Sequence, residues 1–104
     1  MKKYAMIIMN EHYDPEKDHA RLDTPQAEGH ILTVRNAEEA VALAKKLKED
    51  GFGAIEVCGA FGEALARKMY EATGESVPVG YVVTPQDELP KALAFWGESE
   101  TKAE

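Results

Sequence analysis

The sequence predicts a single small α/β domain in the order β-loop-β-α-β-α-β-α, built on a mainly parallel four-stranded sheet with helices against it. Three observations carry that expectation. The chain holds 104 residues, the size of one domain with one core. Short apolar or β-branched runs alternate with amphipathic stretches of helical length, and such alternation implies right-handed crossovers between parallel strands. Cap and turn residues fall at the junctions between those runs.

The first strand is Tyr4 to Met9, a run with no polar break. Such a run is expected in the middle of a sheet, covered on both faces, with its pairing direction left open. Asn10 to Glu28 is rich in Asp, Glu, His and Pro and has no clean period, so it is expected as a loop. Its length is that of loops with a function or with mobility. Gly29 to Arg35 is the second strand by its β-branched content. Asn36 then caps a helix, with Glu39 three positions on in a capping-box arrangement. Ala37, Ala40, Val41, Ala44 and Leu47 share one helical face. Gly51 supplies the left-handed stop, and Phe52 is placed to fold back onto Leu47 in a Schellman ending.

Gly53 to Cys58 is the third strand, and Gly59-Ala60-Phe61-Gly62 a tight turn. Glu63 to Thr73 is the second helix, with Leu65, Met69 and Ala72 inward and Gly74 as its stop. Val77 to Val83 is the fourth strand, where Pro78 is tolerable near the start. After the turn Thr84-Pro85-Gln86-Asp87, Glu88 to Trp96 forms a short last helix with Pro90 in its first turn. Residues 98–104 read as a frayed polar tail. The second, third and fourth strands are expected to form the parallel core. Three helices cannot cover both faces of the sheet, while the first and fourth strands are apolar on both sides. A second copy of the chain is therefore the expected cover.

Charge narrows the partners. The formal net charge is −7, and such a chain repels phosphate backbones and anionic lipid heads, so neither nucleic acid nor a membrane surface is expected to bind. Cys58 is the single cysteine, so no internal disulfide forms and nothing calls for an oxidising compartment. Met1 to Met9 imitates the start of a signal peptide, but its apolar run stops at Asn10-Glu11-His12, too soon for one. No stretch approaches the ~20 apolar residues of a membrane span. The expected location is the cytoplasm.

In open parallel sheets, ligands sit beyond the carboxyl ends of the strands. That point here is Cys58-Gly59-Ala60-Phe61-Gly62, leading directly into a helix. Its glycines let backbone amides approach a ligand, and the helix start favours an anion, whereas Glu63 opposes one. The turn matches neither a phosphate loop nor a dinucleotide fingerprint, so the glycines serve either a ligand or the turn alone. Cys58 is either a nucleophile activated by the helix start or a small buried hydrophobe.

Glu56 is more unusual. Strand alternation sets it beside Cys58, on the face opposite Ile55 and Val57. A carboxylate inside a central strand needs a donor, solvent or a proton. His30 and Arg35 on the neighbouring strand are candidate partners, although they point to opposite faces. A Glu56–histidine pair would transfer protons. The alternative is a wet face or a subunit contact. The stretch Glu11 to His19 collects metal-capable side chains, but His12 and His19 match no zinc spacing, so no metal is expected and the loop is solvated or acts as a lid.

The function expected from these residues is an oligomeric binding module for a small polar metabolite, without a cofactor. Its pocket would lie at the strand ends, lined by Asn10, His12, Glu56, Cys58, Gly59, Gly62 and Thr84. The first alternative is a small acid–base enzyme with catalytic candidates Glu56, His30 and Cys58. The second is a structural homo-oligomer without ligand.

Four segments carry a likeness: Lys3 to Met9, His30 to Val34 with Asn36-Ala37-Glu38-Glu39-Ala40, Gly51 to Gly62, and Val77 to Tyr81. Glu56-Val57-Cys58-Gly59-Ala60-Phe61-Gly62 is the most specific of them. On these residues the chain resembles a family of small bacterial and archaeal proteins designated domain of unknown function 6506. The resemblance implies a stand-alone small domain and assigns no activity.

Overall fold

The computed structural model describes residues 1–97, and the expected polar tail lies outside the described residues. Eight regular elements follow one another: β1 (Lys2–Met9), β2 (Ala20–Thr24), β3 (Ala27–Val34), α1 (Ala37–Glu49), β4 (Ala54–Val57), α2 (Gly62–Ala72), β5 (Val79–Tyr81) and α3 (Leu89–Trp96). A one-turn 3₁₀ helix, Gln86–Glu88, leads into α3. The strands form one mixed sheet in the order β2-β3-β1-β4-β5. β1 is parallel to β3 and β4, β4 is parallel to β5, and β2 runs antiparallel to β3.

The small α/β domain is therefore as expected, but the sheet has five strands rather than four. Half of the expected 10–28 loop is a hairpin. β2 pairs with β3 across a turn that Thr24 closes, its hydroxyl accepting from the Ala27 N–H at 3.1 Å. Every β2 residue is exposed, so this edge strand has no apolar alternation to reveal it. The parallel core is also arranged differently. β1 lies between β3 and β4, and the crossover through α1 passes over it. The most apolar strand thus takes the centre, with Ala5 and Ile7 fully buried.

Local signals hold closely. Asn36 Oδ1 accepts from the Glu39 N–H at 2.9 Å. Glu39 Oε1 accepts from the Arg35 N–H at 2.8 Å, one residue before the cap rather than at it. The Arg35 guanidinium also grips the Glu39 carboxylate and holds its pKa below the ordinary value. At the far end of α1, the Phe52 N–H reaches Leu47 O at 3.0 Å and the Gly51 N–H reaches Lys48 O at 3.1 Å, with Gly51 at φ +88°. This is the Schellman pattern, and both Leu47 and Phe52 are buried.

The inward stripe of α2 is rotated from the expected Leu65, Met69 and Ala72. Gly62, Ala66 and Met69 are the buried positions, while Leu65 and Ala72 are only partly buried. The reason is the neighbour: α2 packs against α1, whose own buried face is Ala40, Ala44 and Leu47. Small residues on both helices permit close approach. Thr73 beyond α2 is buried, and its hydroxyl donates to Tyr70 O at 2.6 Å and accepts from the Val77 N–H at 3.2 Å.

β5 is shorter than expected, because Val77 serves the core instead of a strand. α3 buries no residue. Among the described residues it packs substantially only against the 3₁₀ turn that precedes it. No helix among the described residues is long and apolar enough to cross a membrane.

Candidate functional site

The parallel register sorts the strand side chains onto two faces. Ala5, Ile7, Leu32, Val34, Ile55 and Val57 share the face that belongs to the helix-covered core. Tyr4, Met6 and Ile8 of β1 stand on the other face, level with Gly29, Ile31 and Thr33 of β3 and with Ala54 and Glu56 of β4. Among the described residues no helix lies there: Tyr4, Met6 and Ile8 are only half-buried, which corrects the expectation that β1 is covered on both sides.

Glu56 belongs to this open face and is exposed. It is nevertheless paired. Met6 is its direct neighbour in register, so Tyr4 is its diagonal neighbour, within reach of long side chains. The Tyr4 hydroxyl donates to Glu56 Oε1 at 2.8 Å. Partial burial, together with the hydrogen bond and the negative charge of Glu56, raises the Tyr4 pKa above its ordinary value, so the phenol stays protonated and remains a donor. A Cβ placed on Gly80 would lie 3.6 Å from Glu56 Cγ, so the Glu56 side chain leans over that strand. Its Oε2 has no further partner among the described residues.

His30 is not brought to Glu56. It shares the register of Ala5 on the helix-covered face, and β1 lies between β3 and β4. Its Nε2 lies 3.3 Å from Glu28 Oε1, and its ring meets Phe52 edge-on at 4.8 Å. Arg35 is engaged by Glu39. His12 is exposed beside Glu11, and its N–H donates to Asn10 Oδ1 at 2.8 Å. The acidic residues of this loop shape its backbone: Asp18 accepts from the Asp14 N–H at 2.7 Å, and Asp14 from the Glu16 N–H at 3.0 Å. Thr33 ties the loop to the sheet by donating to Asp18 O at 2.7 Å. Among the described residues no three His, Cys, Asp or Glu side chains are arranged to hold a metal ion.

The remaining expected site residues lie along the rim formed by the strand ends. Asn10 follows β1, Cys58 and Gly59 follow β4, and Thr84 lies beyond β5. Cys58 is half-buried against the core, and its N–H donates to Ile7 O at 3.1 Å. Gly62 opens α2 at φ +76°, a conformation that favours glycine. Two cavities lie elsewhere. One of about 380 Å³ sits between α2 and β5, beside Arg67, Tyr70 and Tyr81. The other, of about 370 Å³, lies against Tyr4, Met6, Leu22, Gly29 and Ile31, with Glu28 and His30 also in its lining. None of Asn10, His12, Glu56, Cys58, Gly59, Gly62 and Thr84 lines either cavity.

Of the second cavity's residues sequence reasoning singled out His30, for a pairing with Glu56 that the strand order prevents, and the others escaped it for two reasons. Tyr4 and Met6 belong to a strand that reads as buried on both sides, and Leu22 belongs to the unrecognised hairpin. Gly29 carried a signal only in three dimensions: a Cβ there would lie 2.6 Å from Leu22 O, so only glycine lets β2 approach β3.

No curated protein and no solved structure is detectably similar to the chain. A family model described as a family of unknown function matches residues 2–97. With almost its whole length matched, the chain belongs to the family of domain of unknown function 6506.

Proposed function

We propose that this protein is an oligomeric binding module for a small molecule, and that its binding surface is the open sheet face rather than the strand-end rim. The observation that supports this reading is the Tyr4–Glu56 hydrogen bond, 2.8 Å long, beside an apolar cavity of about 370 Å³. Ligand sites are typically concave, mostly apolar and equipped with a few oriented polar groups. Met6, Leu22 and Ile31 supply the apolar walls. The phenol supplies the polar handle. Because its proton is committed to Glu56, its oxygen is left to accept a hydrogen bond from the ligand. Glu56 acts as a positioning residue for Tyr4. The ligand is accordingly a small, largely apolar molecule with one hydroxyl or amine donor, less polar than the strand-end rim would suit.

The test is a thermal-shift screen against small aliphatic and aromatic alcohols and amines, since a molecule that binds only the native state raises its apparent stability. Hits are expected to lose at least about tenfold in affinity with Tyr4→Phe, and less with Glu56→Gln. A screen without hits, or hits that bind Tyr4→Phe as tightly as the wild type, would overturn the reading.

A further inference from the structure

The described residues contain two halves of a contact that they do not make with each other. One half is the open sheet face. The other is α3, whose Phe95 and Trp96 side chains are 77% and 58% exposed and touch each other edge-on at 4.8 Å. An apolar helix of this kind needs an apolar surface. We propose that α3 of a second copy of this chain occupies the open face along β1 and β4, exchanged reciprocally in a two-fold dimer, with the partner subunit's Lys91 against Glu56.

Four observations select this occupant. The first is charge. Among the strand residues of the open face, only Lys2 at the margin and Glu56 at the centre are charged, and Oε2 of Glu56 has no partner among the described residues. Lys91 is the one charged residue of α3, is exposed and has no partner among the described residues. It stands one helical turn before Phe95, at the edge of the apolar stripe. The second is size. α3 is about 12 Å long and about 10 Å wide, which matches two neighbouring strands.

The third is the arm that carries the helix. The Val82 N–H still bonds Val57 O at 3.1 Å, so the chain runs on past β5 in the strand direction. Pro85 is extended at φ −54° and ψ 145°, and the 3₁₀ turn passes straight into α3, with Pro90 at its start. The two prolines and the continuous helical junction stiffen the segment that carries α3. The fourth is area. Reciprocal exchange would bury on the order of 800 Å² per chain, one side of a standard stable interface. It would also wall the cavity beside Tyr4 with residues of the partner. This inference rests on the binding-surface reading only for that last consequence.

Sedimentation and light scattering at micromolar concentration test the dimer without any ligand. The wild type is expected as a dimer, with emission of its single tryptophan, Trp96, shifting to the red on dilution. Lys91→Glu alone and Glu56→Lys alone each place like charges together at both contacts, and each is expected to weaken association at least about tenfold. Mixing the two variants makes both contacts complementary again, and the mixture is expected to recover wild-type association. A monomeric wild type, single variants that dimerise like the wild type, or a mixture that stays monomeric would each overturn the proposal. The last result is the one expected if α3 folded onto its own sheet, since mixing cannot repair a contact within one chain. A dimer that binds no screened compound leaves the exchange standing and removes the ligand reading, and a monomer that binds one removes the exchange and the oligomeric state and leaves the ligand site standing.

Discussion

The two faces of the one sheet differ in what finishes them. The first is closed by α1 and α2, and its strand residues Ala5, Ile7, Ile55 and Val57 are at most 1% exposed. The second carries residues of similar chemistry, Met6, Ile8 and Ile31, and leaves them half-buried. Apolar sequence therefore does not by itself mean coverage. Burial depends on a partner surface at the right distance, and the two crossover helices of this fold fall on the same side. Two polar groups show the same contrast, although Thr33 on the open face is buried and bonded to Asp18 O. Thr73, on the closed side, has its hydroxyl fully engaged, whereas Glu56 on the open side retains an oxygen without a protein partner.

The contrast is broken or sharpened most strongly by paired truncations. Ile55→Ala is expected to cost about 2–5 kcal/mol, because it leaves a cavity in a packed core. Ile31→Ala on the open face is expected to cost about 1 kcal/mol, since much of its surface already meets solvent. Urea unfolding of both variants at one protein concentration measures the difference. Equal losses would mean that the open face is as well covered in solution as the closed one.

A second substitution tests the margin of the open face. Gly29→Ala pushes a methyl group to within 2.6 Å of Leu22 O, a backbone atom that moves only with its strand. The expected loss is about 1–3 kcal/mol. An unchanged urea midpoint would show that β2 shifts freely and contributes little to the sheet.

On the closed side, Asn36→Ala removes the oxygen that accepts from the Glu39 N–H, and about 1 kcal/mol should be lost with it. A thermal or urea midpoint equal to that of the wild type would remove the capping role.

The smallest effect belongs to the open face. Tyr4→Phe deletes one exposed hydrogen bond, and its expected cost at neutral pH is below about 1 kcal/mol. Its signature lies in alkali. The native Tyr4 pKa is raised above the ordinary 10.0, chiefly by burial and also by Glu56. The stability linked to that shift is present in full below pH 10 and is lost as pH rises through the native pKa. Thermal midpoints of the wild type and Tyr4→Phe, followed from neutral to alkaline pH, should therefore converge at the alkaline end. Parallel curves would show that the native Tyr4 pKa is not raised.

Element by element, legibility followed range. The Asn36 cap, the Gly51 stop with Phe52 behind it, the positions of α1 and α2, and the presence of Pro90 in the first turn of α3 were readable from the sequence. Each depends on atoms within about one helical turn of one another. The alternation that separates Glu56 from Ile55 and Val57 was readable for the same reason. β2 was not, because an exposed edge strand with Arg21 and Asp23 bonded to each other looks like a polar loop.

Only the tertiary structure decided the rest. It set β1 between β3 and β4, which separated Glu56 from His30 and brought it to Tyr4. It placed both packed helices on one face and carried α3 off the body, leaving Tyr4, Met6 and Ile31 uncovered. These outcomes turn on the order and register of strands far apart in the chain. Periodicity states which residues share a face of a strand, but strand order determines their neighbours and helix placement determines their cover.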